Sequence, residues 1–283
     1  YAVPEVQAYI LSQFQEMLEM GARHISIDWC RYPHALKDED TVTVLLRQLR
    51  ALANRFSIAD EGPAVVLVRF PVRGAPKSEC MDYKTWIAEE LADYLVPSQI
   101  FNCPLCFDID EYLEAARGTK TVILPNVESC VPLPGLWFQR LLNCYDAGAE
   151  GVFIYQCDAP VSRSDTRRYI SLAGSVNALN RWAEREAAEQ CRYSKGIYLS
   201  APHSKGTYQP FERLRVWVEG VAGKAVELWV DDEQINSYEK PPYILGSEAP
   251  EDDHLIPAGE HLLKVVAEDG DGWLERRFSI KVA

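Results

Sequence analysis

The feature that most constrains the fold of this chain is a helix-to-strand pattern that occurs five times in the first 160 residues. In each occurrence, apolar residues at helical spacing precede a short β-branched or apolar run. The predicted helices cover residues 4–20, 41–56, 82–91, 109–117 and 136–147, and the predicted strands cover residues 24–28, 64–70, 92–96, 121–124 and 151–155. Consecutive parallel strands need a helical crossover, so this series is typical of an α/β domain with a parallel sheet.

The predicted strands are continuous apolar runs, as expected when helices cover a parallel sheet. Five units cannot close an eight-stranded barrel. Two folds are therefore open: the C-terminal five units of a (β/α)8 TIM barrel whose N-terminal units are missing, or an open doubly wound sheet. The doubly wound sheet commonly has a glycine-rich phosphate loop after its first strand, and residues 29–33 contain no glycine. The truncated barrel is therefore favoured, over residues 1–192.

The last part of the chain has a different pattern, with short strands predicted at residues 214–218, 225–230, 243–245, 261–266 and 277–282. Several alternate in polarity, and turn clusters such as Asp231-Asp232 separate them, which is typical of an all-β sandwich over residues 211–283. Residues 193–210 are rich in Ser, Gly and Pro and are interpreted as a linker or an edge strand. Trp217, Trp229 and Trp273 are expected to fill the core of the sandwich rather than to form a sugar-binding surface.

Composition argues against several classes of partner. The chain has 29 basic and 42 acidic residues, and its net charge of −13 disfavours nucleic acid. No apolar stretch is long enough for a membrane span, and no pair of histidines has metal-ligand spacing, so we expect neither a metal nor another cofactor. Cys103 and Cys106 form a CxxC sequence that is compatible with a disulfide, half a zinc site or neither.

Polar side chains follow the predicted strands, and the carboxyl ends of barrel strands are where catalytic groups lie. The five ends read Asp28-Trp29-Cys30-Arg31-Tyr32-Pro33, Arg69-Phe70-Pro71, Pro97-Ser98, Pro125-Asn126-Val127-Glu128 and Gln156-Cys157-Asp158. Four of these five ends carry ionisable groups. We therefore expect the functional site there.

Three segments resemble one known family. Residues 27–33, Ile-Asp-Trp-Cys-Arg-Tyr-Pro, resemble a strand end of the glycosyl-hydrolase-like TIM-barrel family. These are bacterial envelope and secreted proteins, and they include an enzyme acting on peptidoglycan glycan strands. Residues 86–98, Trp-Ile-Ala-Glu-Glu-Leu-Ala-Asp-Tyr-Leu-Val-Pro-Ser, and residues 146–155, Asp-Ala-Gly-Ala-Glu-Gly-Val-Phe-Ile-Tyr, resemble two later units of that family. The resemblance begins at the helix before the fourth barrel strand, which implies that three units are missing. It also implies a secreted or cell-envelope location.

The resemblance implies a glycoside hydrolase that acts on a polysaccharide or a peptidoglycan-type glycan, and such hydrolysis needs two carboxyl groups. Asp28 and Glu128 are the candidate catalytic pair, since they would end barrel strands 4 and 7. Barrel glycosidases usually have Glu after Asn at strand 4, so Asp28 is open to a second role in orienting a sugar hydroxyl. The candidate substrate-binding residues are Trp29, Arg31, Tyr32, Arg69, Trp86, Ser98, Asn126 and Gln156.

Two alternatives stay open. Asp28, Arg31 and Arg69 are also compatible with a buried ion-pair network at the barrel mouth. The whole chain is also compatible with a non-catalytic glycan-binding or surface protein that has a degenerate barrel. The C-terminal strands resemble bacterial immunoglobulin-like modules attached to secreted enzymes, which usually serve as spacers.

Overall fold

A computed structural model describes residues 2–30, 36, 38–58, 62–73, 75, 77–98, 107–128, 134–155, 167, 170–181, 196–199, 207–208, 214–219, 221, 223–241, 243–245 and 256–282. The chain divides into two compact units. The first comprises residues 1–101, 109–127 and 144–155, and the second comprises residues 102–108, 128–143 and 156–283.

Helices and strands alternate from the N-terminus to residue 155, in the order that the periodicity predicts. The elements are α1 (Pro4–Glu19), β1 (His24–Asp28), α2 (Glu39–Arg55), β2 (Val65–Pro71), a 3-10 turn (Ser78–Cys80), α3 (Tyr83–Ala88), β3 (Tyr94–Ser98), α4 (Ile109–Ala116), β4 (Val122–Ile123), β5 (Asn126–Glu128), α5 (Pro134–Asp146) and β6 (Phe153–Tyr155). The fourth predicted strand is realised as β4, and the chain then forms β5 three residues later. The α/β class with a parallel sheet is confirmed.

Local sequence signals begin and end these helices. The Asp38 carboxylate accepts a hydrogen bond of 2.7 Å from the Thr41 N–H and so caps the start of α2. Gly21 and Gly148 follow α1 and α5 with φ of 99° and 97°, a backbone conformation that is strained for other residues. The two Gly-Ala steps therefore turn the chain from each helix towards the next strand.

The strands of the first unit form a row with the order β1-β2-β3-β4, and each neighbouring pair is parallel. The Leu124 N–H donates to the Leu95 oxygen at 2.9 Å, and the Phe153 N–H donates to the Pro125 oxygen at 3.0 Å. These two bonds lie where β4 leads into β5, and β5 pairs with β6. The row brings the carboxyl ends of its parallel strands to one edge.

The two faces of this sheet are covered to different extents. One face is fully buried, and its residues include Ile25, Ile27, Val66, Val68, Phe70, Leu95 and Ile123. The alternate positions of the strands form the other face, where His24, Ser26 and Asp28 are exposed and Val65, Leu67, Tyr94 and Val122 are only half-buried. Nearer the carboxyl ends, Arg69, Val96 and Ser98 on this face are buried. Helices therefore cover one face, while the other keeps a substantial part of its apolar surface in contact with solvent.

The β1 side of the first unit has an unpaired strand edge and exposed apolar residues within the described part of the chain. Among the described strands β1 pairs only with β2. Val6, Tyr9 and Met17 on α1 and Met20, the residue after it, recur at helical spacing and are exposed. The described strands form an open row, so a closed barrel stays a prediction.

Residues 170–172 and 176–181 are helical, with a break between them, where the sequence predicts one helix over residues 166–188. Within the part of the chain that is described, no helix has both the length and the apolar character needed to cross a membrane.

The second unit contains β7 (Gly196–Leu199), β8 (Thr207–Tyr208), β9 (Leu214–Glu219), β10 (Val226–Val230), β11 (Glu233–Tyr238), β12 (Tyr243–Leu245), β13 (Gly259–Asp269) and β14 (Gly272–Val282). One sheet has the order β11-β10-β13-β14-β8, and a second has the order β12-β9-β7. Pairing is antiparallel except between β14 and β8. Both β7 and β8 lie within residues 193–210, and each is the last strand in the order of its sheet.

One apolar core joins the two sheets of this unit. Ile197, Val216 and Tyr243 come from the smaller sheet, while Leu228 and Val265 are among the members from the larger sheet. The two sheets therefore pack face to face, as the alternating pattern predicts. A relationship to immunoglobulin-like modules stays a prediction.

The expectation that tryptophans fill this core is wrong for two of the three. Trp229 and Trp273 are absent from the core cluster, and Trp273 is 57% exposed. Both lie at positions that alternate with the core-facing residues of β10 and β14, which places them on the outer face of the sheet. The side chain of Trp217 lies outside the described residues.

Candidate active site

Asp28 is the last residue of β1 and points to the half-covered face of the sheet. Its Oδ2 accepts a hydrogen bond of 2.8 Å from Arg69 Nη1, and its Oδ1 accepts one of 2.8 Å from the Cys30 N–H. The carboxylate side chain is 36% exposed. It is thus held in one orientation and still meets solvent, as a group that contacts a ligand must.

Arg69 connects four strand ends. Its side chain lies on β2, opposite Asp28 in the β1–β2 register, and its Nε donates to Ser98 Oγ on β3 at 3.1 Å. Its guanidinium carbon lies 3.8 Å from the centroid of the Tyr155 ring on β6. Arg69 is only 3% exposed, so the carboxylate, the hydroxyl and the ring together replace the water that this charge loses.

Ser98 supports Arg69, although the sequence places it among the substrate-binding candidates. It is fully buried, and its hydroxyl donates to the Val96 oxygen at 3.2 Å while accepting the Arg69 bond. Both hydrogen-bonding roles of the hydroxyl are therefore occupied within the protein. We assign Ser98 to the support of the site and not to ligand contact.

Asn126 begins β5 at the same edge of the sheet. It is 1% exposed, and its Oδ1 has no hydrogen-bond partner among the described residues. A buried acceptor without a partner costs about 1–3 kcal/mol, so such atoms commonly mark a place for water or a ligand. Asn126 thus stays a candidate for ligand binding.

Trp29 and Trp86 do not have the sugar-stacking role that the sequence suggests. Trp86 is 0% exposed, its indole N–H donates to Thr43 Oγ1 at 2.9 Å, and its ring centroid is 5.3 Å from that of Trp29. Trp29 is also buried. A ring without an exposed face cannot stack on a sugar, so both belong to the core beneath the helices.

Several candidates lie outside the described residues: Arg31, Tyr32 and Gln156 entirely, and Glu128 in its side chain. The backbone of Glu128 is described, and it is the last residue of β5. Cys103 and Cys106 also lie outside. Among the residues that are described, no group of three or more His, Cys, Asp or Glu side chains is arranged to hold a metal ion.

Tyr155 is a further residue of this site that the sequence does not predict, and it contributes an aromatic face to Arg69. The signal in the sequence is its position as the final residue of the fifth predicted strand.

A group of polar side chains around a second carboxylate lies beyond the end of β2. Glu111 in α4 accepts a hydrogen bond of 2.8 Å from the Tyr83 hydroxyl and forms an ion pair of 3.1 Å with Arg73. The backbone N–H of Arg73 donates to the Tyr112 hydroxyl at 3.0 Å. Burial, and then the hydrogen bond to Glu111, raise the pKa of Tyr83 well above its ordinary value. Tyr83 is therefore a neutral donor that holds Glu111 in place.

Neither a family model nor a curated protein sequence matches this chain. Solved structures that are similar to it include an endo-β-1,4-mannanase from Thermotoga petrophila, with 11% identity over 87% of this chain and 62% of that one and a TM-score of 0.35. A β-glucuronidase 2 from Bacteroides uniformis has 12% identity over 100% of this chain and 38% of that one, with a TM-score of 0.31. Fibronectin(III)-like modules of Clostridium thermocellum CbhA have 24% identity over 31% of this chain and 46% of those modules, with a TM-score of 0.21.

This chain therefore spans less than two thirds of each of these three structures. Two of the three are glycoside hydrolases by name. At these TM-scores the likeness is distant, and it identifies neither a reaction nor catalytic residues in this chain.

Proposed function

We propose that the first unit is part of a glycoside-hydrolase (β/α) barrel whose site lies at the carboxyl ends of β1, β2, β5 and β6. The observation that carries this proposal is the Asp28 carboxylate, which buried Arg69 holds at a strand end while part of it stays exposed. Ligand sites of parallel α/β folds lie at this edge. The proposed substrate is a polysaccharide or a peptidoglycan-type glycan, outside the cell or in its envelope.

Three surfaces support the barrel. The edge of β1 that no described strand pairs with, the exposed apolar stripe of α1 and the half-covered face of the sheet all belong to the first unit. A parallel edge strand accepts a further parallel strand, and an apolar helix stripe accepts a further helix. An additional β/α unit would pair its strand with β1 and pack its helix against α1. It would also extend the sheet, so that its half-covered face becomes the inner face of a barrel.

We assign the catalytic pair to Asp28 and Glu128. Both oxygens of Asp28 accept N–H donors, an arrangement that suits a carboxylate that stabilises positive charge developing on the sugar. Glu128 would then supply the proton to the leaving oxygen. Asn126, two residues before Glu128, offers its buried Oδ1 to a hydroxyl or amide N–H of the sugar.

The second candidate function is glycan binding without hydrolysis. The same two bonds to Asp28 favour it, because they are also those of a carboxylate that balances the charge of Arg69 and takes no part in bond cleavage. In this case Asp28 orients a sugar hydroxyl through its exposed side, and the barrel edge binds a glycan without turnover.

The test is hydrolysis by the full-length protein of a panel of polysaccharides that includes peptidoglycan. We expect Glu128→Gln and Asp28→Asn each to lower kcat at least about 100-fold, because each removes one of two required carboxyl groups. Glu150→Gln is the matched control, since Glu150 is exposed and lies on the amino-terminal side of β6, away from the carboxyl ends of the strands. Undiminished turnover in Glu128→Gln removes Glu128 from the mechanism, and measurable affinity without turnover by the native protein favours the second candidate.

A further inference from the structure

His261 lies at one end of the core of the second unit. It is on β13, two residues before Leu263, on the face that also carries buried Leu263 and Val265. Its side chain is 12% exposed. The preceding segment, residues 256–259, brings buried Ile256 to the same core. The histidine thus occupies the boundary between the apolar core and the segment that leads into β13.

Two acceptors face the imidazole of His261 from different elements. Nδ1 is 2.7 Å from Asp231 Oδ2 in the turn between β10 and β11, and Nε2 is 2.8 Å from the Pro257 carbonyl oxygen. A neutral imidazole carries one N–H and can donate to only one of them. The imidazolium carries two and satisfies both.

Asp231 cannot readily turn away from this arrangement. The turn has only Asp231 and Asp232 as its central residues, with φ of 50° and 67°, as in a type I′ turn. The Asp231 N–H donates to the Leu262 oxygen at 3.0 Å, and its Oδ1 accepts from the Leu262 N–H at 2.9 Å. Since these bonds hold Asp231 against β13, loss of a proton from His261 leaves two fixed acceptors around one donor.

Residues 256–259, which carry the second acceptor, also pass close to the imidazole of His261. Gly259 has φ of +147°, and a Cβ added there would lie 3.4 Å from His261 Nε2. Side chains disfavour this positive φ, so glycine allows the backbone path by which residues 256–259 bring the Pro257 carbonyl oxygen to the imidazole.

We propose that His261 is a proton-dependent clamp that joins the β10–β11 turn and residues 256–259 to β13 when its imidazole is doubly protonated. Loss of the second proton releases one of the two partners and loosens this end of the sandwich. The clamp is a property of the second unit and does not depend on the glycan site proposed for the first.

Asp231 is the charged group that faces His261 from the β10–β11 turn, with Asp232 beside it. Across β14 the register partner of His261 is uncharged Ile280, next to the Glu260–Lys281 pair. The hydrogen bond with Asp231 raises the pKa of His261, and the Pro257 carbonyl adds to the rise. The Leu262 N–H, and then His261, lower the pKa of Asp231. Because the pKa of His261 is higher in the folded than in the unfolded protein, its protonation stabilises the fold. This contribution is complete below the unfolded-state pKa of about 6.5, and it is lost as the pH rises through the folded-state pKa.

The experiment is a proton NMR titration of the histidines in the full chain, with the His261 signal assigned from its absence in His261→Gln. We expect His261 to titrate above the ordinary value of about 6.5 and to move back towards it in Asp231→Asn. Amide exchange at residues 258–260, relative to their intrinsic rates, is expected to be faster at about pH 8 than at about pH 5.5. Leu262 holds Asp231 in place, so the partner released at the higher pH is the Pro257 carbonyl. His24→Gln is the control, since His24 is exposed on the first unit and its loss leaves these readouts unchanged.

A His261 titration at or below the ordinary value overturns the proposal. So does pH-independent protection of residues 258–260. If His261→Gln does not fold, Asp231→Asn provides the decisive comparison, because an asparagine keeps an oxygen for the Leu262 N–H and removes the charge. An unchanged His261 titration in that variant also overturns the clamp.

Discussion

Asp28 and Arg69 are register partners in β1 and β2, and Arg69 Nη1 donates a hydrogen bond of 2.8 Å to Asp28 Oδ2. The pair joins a nearly buried cation to a partly exposed anion. The carboxylate of Asp28 is therefore the charged group that is exposed to solvent, and the buried Arg69 holds it in position.

The Asp28–Arg69 pair leads to a first prediction. Arg69→Met keeps an unbranched side chain but removes the donors to Asp28 and Ser98 and the charge above Tyr155. We expect the free energy of unfolding to fall by about 1–3 kcal/mol, since Asp28 can be hydrated but Ser98 cannot. Chemical denaturation of the full chain measures this change.

The matched control is Arg47→Met, which removes an exposed pair with Glu89 whose length is 2.6 Å, against 2.8 Å for the Arg69–Asp28 pair. Exposed pairs contribute little, so its effect is expected to be much smaller. Equal effects of the two variants would show that burial does not distinguish the Arg69 pair.

Trp86 leads to a second prediction, because its burial assigns it to the core. Trp86→Phe removes part of the ring volume and the hydrogen bond to Thr43, so we expect a loss of about 2–4 kcal/mol of stability by chemical denaturation. Tyr9→Leu, at a position 65% exposed on α1, is the control and is expected to change stability by less than about 0.5 kcal/mol. A stable Trp86→Phe protein with weakened glycan binding would instead restore the sugar-stacking role.

The third prediction concerns alkaline pH. Burial raises the pKa of Tyr83, so the folded protein keeps this proton after an unfolded chain has lost it. The corresponding stability is present below the unfolded value of about 10 and falls as pH rises above it. We expect the free energy of unfolding of Tyr83→Phe to decrease less steeply above about pH 10 than that of the native protein. Parallel pH profiles for the two proteins would contradict this.

The β10–β11 turn gives a fourth prediction. Asp232 has φ of 67°, where glycine is unstrained and a β-branched residue is strained. We expect Asp232→Val to lower stability by about 1–2 kcal/mol and Asp232→Gly to leave it unchanged or slightly higher, measured by denaturation. The reverse order would mean that the turn does not have this backbone conformation in solution.

Much of the first unit was predictable because its signals are local. The strand predicted at residues 24–28 is β1 with the same bounds, and Gly21 ends the preceding helix as its position indicates. In the second unit, by contrast, β11 was missed. Its polar sequence, Glu-Gln-Ile-Asn-Ser-Tyr, lacks the alternation that identifies an exposed strand, and its pairing with β10 comes from the two-residue turn.

The sequence by itself determined the order of the helices and strands and the presence of polar groups at the strand ends, because periodicity, caps and turn residues act over a few positions. Tertiary structure decided what each of those groups contacts. Asp28 meets Arg69 across the sheet, Arg69 meets Tyr155 from a strand some 86 positions later in the chain, and Trp86 turns into the core instead of towards a ligand. These outcomes depend on which face of a strand or helix is covered, and that is set by packing between elements distant in sequence.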